Sequence, residues 1–196
     1  MSLSVAKLGS VFLVVVGIAA AQDMAIDVER STITIHVDKA GLFSAAGHEH
    51  WVSAPISSGT IRETPPASVE FNVQTAKMAV KPDPKVDAKT QAQIQKDMED
   101  LTLETRKFPQ ITFRSSRVDS RANKSGDGQW EVTGDLSLHG VTKPISLTVK
   151  RTGEAYTAHT VLKQTDFGIK PVSVGGGLVK VKNEVDIDFQ IFTRVK

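Results

Sequence analysis

Gly134-Asp-Leu-Ser-Leu-His-Gly-Val-Thr-Lys-Pro-Ile-Ser-Leu147 is the stretch on which the fold reading rests. Leu136 and Leu138 alternate with Ser137, and Ile145, Leu147 and Val149 alternate with Ser146, Thr148 and Lys150. Period two of this kind gives a strand with one apolar face. Between the two runs, Gly140 supplies backbone freedom and Pro144 fixes φ and lacks an N–H, so the chain is expected to turn across His139–Pro144. The product is an antiparallel hairpin.

The same alternation recurs on both sides of it. Ile33, Ile35 and Val37 alternate with polar residues, as do Val69, Phe71 and Val73, and Ile111 and Phe113. Trp130 and Val132 share a face with Leu136 and Leu138, and Tyr156, Ala158 and Leu162 share another. Val179, Val181, Val185, Ile187, Phe189 and Ile191 read as one long half-buried run with a charged outer face. About eight strands separated by short turns call for an all-β sandwich or a closed antiparallel barrel, and closure leaves no long edge exposed. One segment departs from the pattern. From Asp87 to about Leu103, Ala, Gln, Lys and Glu dominate without Gly or Pro, and Val86, Ile94, Met98 and Leu101 recur at helical spacing. This predicts an amphipathic helix covering one end of the barrel.

Residues 1–21 read as a signal peptide: Lys7 is their one charge, Val11 to Ala20 is almost wholly apolar, and Ala19-Ala20-Ala21 fits an A-x-A cleavage site before Gln22. The apolar run is short of the roughly 20 residues that span a bilayer, so no stable membrane anchor is expected. Residues 22–196 then form one domain in the periplasm or outside the cell. The formal charge of the whole chain is +2, and losing Lys7 leaves +1, which gives no reason to expect a nucleic-acid partner. With no cysteine, the exported domain holds together by burial alone and has no thiol chemistry.

Several motifs in order resemble the YceI-like family of bacterial lipid- and polyisoprenoid-binding proteins. They are the hairpin wording above, Asp97-Met-Glu-Asp-Leu101 followed by Lys107-Phe-Pro-Gln-Ile-Thr-Phe113, then Thr165-Asp-Phe-Gly-Ile169, and the closing run from Gly177 to Ile187. The resemblance implies a lipocalin-like extended antiparallel barrel of eight strands around an apolar tube that holds an isoprenoid, a quinone or another long amphiphile, with no cofactor, a binding role and not an enzymatic one, and a possible homodimer. The strand pattern by itself fits a filled barrel and a hollow one alike. Leu101-Thr102-Leu103 stands where the family usually has an aromatic pair, and Gly47-His-Glu-His50 is the mark of a branch whose ligand need not be a polyisoprenoid.

Phe43, Trp51, Phe71, Phe113, Leu136, Leu138, Phe167 and Phe189 are the candidates for lining the tube, and His48, His50 and His139 for meeting a head group. His48 and His50 stand two apart, so in an extended segment they share a face. With a third ligand from His36, His139 or His159 they would form a zinc site able to activate water, the alternative reading of a metal-dependent hydrolase. Other catalytic signatures are missing. Gly-x-Ser-x-Gly does not occur, and Gly175-Gly176-Gly177 lacks the strand-turn-helix setting of a phosphate loop.

Overall fold

The computed structural model describes residues 22–40, 49–122, 128–174 and 179–194. Residues 1–21, read above as a signal peptide, Phe43 and His48 therefore lie outside the described residues. In chain order the strands are β1 (Met24–Ala25), β2 (Thr32–Val37), β3 (Lys39–Ala40), β4 (His50–Ser53), β5 (Ile56–Arg62), β6 (Ser68–Gln74) and β7 (Ala79–Val80). After helix α1 (Ala88–Asp97) come β8 (Gln110–Ala122), β9 (Gly128–Leu138), β10 (Val141–Thr152), β11 (Ala155–Lys163), β12 (Ser173–Val174), β13 (Val179–Val181) and β14 (Glu184–Ile191). Eleven of the strands form one curled antiparallel sheet in the order β1-β5-β6-β8-β9-β10-β11-β14-β2-β4-β7, more than the eight expected. The other three make a small sheet, β12-β13-β3.

The opening stretch forms the hairpin β9–β10, with Leu138 opposite Val141. The loop is therefore His139-Gly140 alone, and both residues have positive φ (51° and 76°), the two-residue turn whose twist suits a hairpin. Pro144 is not in the turn, contrary to the expectation; it sits within β10 opposite Asp135. Gly134 answers a different demand: a Cβ there would lie 2.5 Å from the Arg114 carbonyl oxygen and 2.7 Å from the tip of the Phe113 ring. Beside it, β8 carries a register shift between Ser115 and Arg117, so two strands and an aromatic ring crowd together where only glycine fits.

The two ends of the curl are built differently. At the lower end, β1 pairs with β5, Asp27 N–H donates to the Phe192 carbonyl (2.8 Å), and Arg194 N–H donates to the Ala25 carbonyl (2.8 Å). Backbone hydrogen bonds thus join β5 to the end of β14. At the upper end, which carries the His139-Gly140 turn, the wall is split. The β10–β11 ladder runs only from Val149–Thr152 against Ala155–Ala158. Above it, a 3-10 turn at Gln164–Phe167 bears on both strands, with Phe167 and Ile169 buried behind it.

The closing run is two strands and not one. Asn183 interrupts it: its carbonyl accepts from Gln164 N–H (2.8 Å), and its side-chain amide donates to Thr165 Oγ1 (2.9 Å). β13 consequently leaves for the small sheet, while β14 stays in the large one. The expected helix is shorter than predicted. It is capped by the Asp87 side chain, which accepts from the N–H groups of Lys89 and Thr90, and it gives way at Met98–Thr102 to a π-turn. No side chain of α1 is fully buried, and Leu101 is 71% exposed. Gln95 anchors the helix instead, donating to the Met78 carbonyl (3.0 Å) and accepting from Val80 N–H (2.8 Å). Among the described residues, no helix is long and apolar enough to cross a membrane.

Candidate functional site

Strand parity sends one face of every long strand inward, and the inner faces do not fill the space between them. The upper half holds a cavity of about 140 Å³. β2, β4, β6, β8, β9, β10, β11 and β14 contribute to its wall, which is apolar apart from Thr102, Thr160, Lys163 and Gln164. Met98 and Leu103, from the π-turn and its end, close over it. The π-turn, and not the helix proper, supplies that cover.

Six of the residues expected to line a tube do line this cavity: Phe71, Phe113, Leu136, Leu138, Phe167 and Phe189. Trp51 does not. It is 43% exposed, and its ring stacks on His36 at 4.3 Å on the outer face. The reason is parity: Trp51 pairs with His36 and Val52 with Ile35, so Val52 and Ile35 take the inward positions. His50 pairs with Val37, which places it on the inner side at the upper end of β4, although it is not among the cavity-lining residues.

Among the described residues, His36, His139 and His159 each meet carboxylates. His139 lies at the hairpin tip, 4.2 Å from the Phe108 ring, with Glu104 Oε2 2.9 Å from its Nε2. That contact has ion-pair distance without hydrogen-bond alignment, and Nε2 is left buried without a hydrogen-bond partner. His139 thus braces the turn against the Glu104–Phe108 segment and lies outside the cavity wall. His36 and His159 are on the outer face, sharing Asp186 between them (3.9 and 3.7 Å), and His159 Nδ1 also meets Asp188 at 2.9 Å. Among the described residues, the group with three ligand atoms within 4.8 Å of one another is His36, Asp38 and Glu49, which includes neither His50 nor His139. In that group Asp38 already pairs with Lys182 and accepts from Lys39 N–H, and these two contacts hold its carboxyl below the usual carboxylate range. The zinc geometry expected around His50 is therefore not assembled by the described residues.

The polar groups at the cavity are ones the sequence reading did not single out. Gln164 is buried, donates to the Lys182 carbonyl (2.8 Å) and lines the cavity beside Lys163, whose ammonium lies 3.9 Å from Glu184. They directly precede the Thr165–Ile169 motif, and that adjacency was the available signal.

The lower half holds a second, smaller cavity with charged residues at its far end. Tyr156 O–H donates to Glu63 Oε1 (2.8 Å), and Arg151 reaches the same oxygen at 3.0 Å. Burial and the adjacent Glu63 carboxylate hold the Tyr156 hydroxyl protonated well above the ordinary phenol range. Arg62 and Asp23 form a bidentate pair beside it, with nitrogen–oxygen distances of 2.6 and 2.9 Å.

The family model described as the YceI-like domain matches residues 24–192. The chain belongs to the YceI-like family. A UPF0312 protein of Pseudomonas putida (strain W619) is 36% identical over 98 residues, which is 45% of this chain and 47% of that protein. Protein YceI of Escherichia coli O157:H7 is 40% identical over 78 residues, 35% of this chain and 38% of that one. These alignments span about half or less of the curated relatives' length. Among solved structures, BcnA of Burkholderia cenocepacia superposes with a TM-score of 0.60 at 17% identity, covering 85% of this chain and 98% of that chain. A polyisoprenoid binding domain from Saccharophagus degradans, implicated in plant cell wall breakdown, gives 0.60 at 15% identity, covering 88% and 98%. At such identities the likeness is one of fold, and the YceI-like barrel is that fold.

Proposed function

We propose that this YceI-like protein is exported and holds a long-chain apolar or amphiphilic ligand, such as an isoprenoid, a quinone or another lipid, non-covalently in the upper cavity. The observation that carries the reading is the cavity wall: 22 of its 26 lining residues are apolar, and the polar four are Thr102, Thr160, Lys163 and Gln164. The reading is a binding protein and not an enzyme. Binding of this kind needs little beyond burial, since each CH₂ taken from water is worth about 0.8 kcal/mol. Few polar contacts are then required, and those fix orientation. The Saccharophagus relative, a polyisoprenoid-binding domain of the same fold, supports this ligand class.

The test is native mass spectrometry of the protein purified from its exporting host, followed by organic extraction. A co-purifying lipid-like species, or binding of an added isoprenoid quinone or polyprenol, is expected. If nothing co-purifies and none of these ligands binds, the reading fails. The same spectra report the homodimer that the family resemblance allows, and N-terminal sequencing reports cleavage before Gln22.

A further inference from the structure

The two cavities meet at four side chains. Phe71, Phe113, Leu147 and Phe189 line the upper cavity and the lower one alike. Phe71 and Phe113 are direct partners across β6 and β8, with ring centroids 5.5 Å apart and planes 27° from parallel. Phe189 comes from β14, well round the sheet from β6, and its ring still reaches within 6.2 Å of Phe71. That contact spans the bore. Two glycines make the arrangement possible. Gly134 leaves room for the tip of the Phe113 ring, and Gly59, opposite Phe71, has a would-be Cβ 2.9 Å from the Phe71 Cβ.

We propose that these three rings are the floor of the ligand site, so that they set the longest chain the protein accepts and keep the tail out of the lower cavity. The inference rests on the ligand-binding reading above and adds specificity to it. Below the floor lie Trp130, Val132, Val149 and Tyr156, and then Glu63, which pairs with Arg151. In the upper cavity, each further CH₂ tightens binding roughly fourfold until the tail meets the rings, and then the gain stops.

The protein supplies its own reporter. Its two tryptophans are Trp51, outside the barrel, and Trp130, in the wall of the lower cavity. In a Trp51→Phe background, saturated fatty alcohols of increasing length carrying a terminal bromine are titrated, with binding followed by calorimetry and quenching by Trp130 emission. The floor predicts binding that tightens with length to a plateau, with Trp130 unquenched throughout. Phe189→Ala moves the plateau to longer chains and brings quenching with it. Phe113→Leu serves the same purpose if Phe189→Ala does not fold. Val149→Phe, which fills the lower cavity, leaves the profile unchanged. Quenching of Trp130 with all three phenylalanines in place overturns the floor while ligand binding stands. So does an unmoved plateau in the opened variant, or a shortened one in Val149→Phe. No binding at any length overturns both readings.

Discussion

The lower end of this barrel is joined by backbone and edged by charge; at the upper end, among the described residues, the wall is split and side chains lie over it. Below, β1 joins β5 to the end of β14 through hydrogen bonds, and Tyr156, Glu63, Arg151, Arg62 and Asp23 pair at its edge. Above, the β10–β11 ladder stops at Val149 and Ala158, and Phe167, Met98 and Leu103 lie against a cavity that is not filled. A ligand site needs surface that can yield, and a fold needs surface that does not. On the proposed function, the two requirements fall at opposite ends of the same strands.

The comparison breaks first if the two ends respond alike to truncation. Ile26→Ala, buried where the lower end is joined, is expected to lower unfolding free energy by about 2–5 kcal/mol. Leu138→Ala, whose side chain is half-buried and faces the upper cavity, is expected to cost clearly less. Equal losses in urea denaturation would remove the distinction. Gly134→Ala is next, at about 1–3 kcal/mol by the same measurement, because its methyl group meets backbone on one side and the Phe113 ring on the other.

A pH titration sharpens the lower end. Tyr156 is the single tyrosine, so tyrosinate absorbance reports it alone. Its folded pKa lies above the unfolded value of about 10, so the neutral hydroxyl's contribution to stability is complete below that pH and is lost as pH rises toward the folded value. The native protein is therefore expected to stay unionised through pH 10, whereas the chain in denaturant ionises there. Coincident curves would mean that burial and Glu63 do not hold the hydroxyl neutral. The smallest effect belongs to the upper wall. Lys143 and Asp166 span the split at 3.7 Å, both largely in solvent, and Lys143→Ala should shift stability by no more than about 0.5 kcal/mol. Hydrogen exchange sees the same split directly: β11 amides facing β10 should exchange faster in Thr160–Leu162 than in Ala155–Ala158.

The strand faces were legible in the sequence because alternation is a local property. Parity put Phe71, Phe113, Leu136, Leu138 and Phe189 each on the apolar face of its strand, and the strand pairing turns those faces into one interior. Trp51 could not be placed in this way, because its neighbour Val52 competes for the inward position and only the pairing with Ile35 decides between them. The break at Asn183 was hidden for a related reason. An alternating run looks continuous until the side chain that turns it finds Thr165, 18 residues away in sequence. Lys163 and Gln164 follow from neither parity nor composition. Gln164 reaches the cavity because a 3-10 turn fills the space that two diverging strands leave, and Lys163 borders it at the end of β11.

Pro144 has a meaning beyond its absence from the turn. In a hairpin closed by a two-residue loop, the pair flanking the loop exchanges both hydrogen bonds, and every second pair after it does the same. Leu138 and Val141 are that first pair, so Asp135 and Pro144 form one of the pairs between, and the nitrogen of residue 144 points away from β9 toward the unpaired edge of β10. An exposed edge of this kind invites a strand from a second molecule. Proline removes a donor that such a strand would need, at a place where the protein's own sheet has no use for it. The split in the wall can thus persist in solution without becoming a template for self-association.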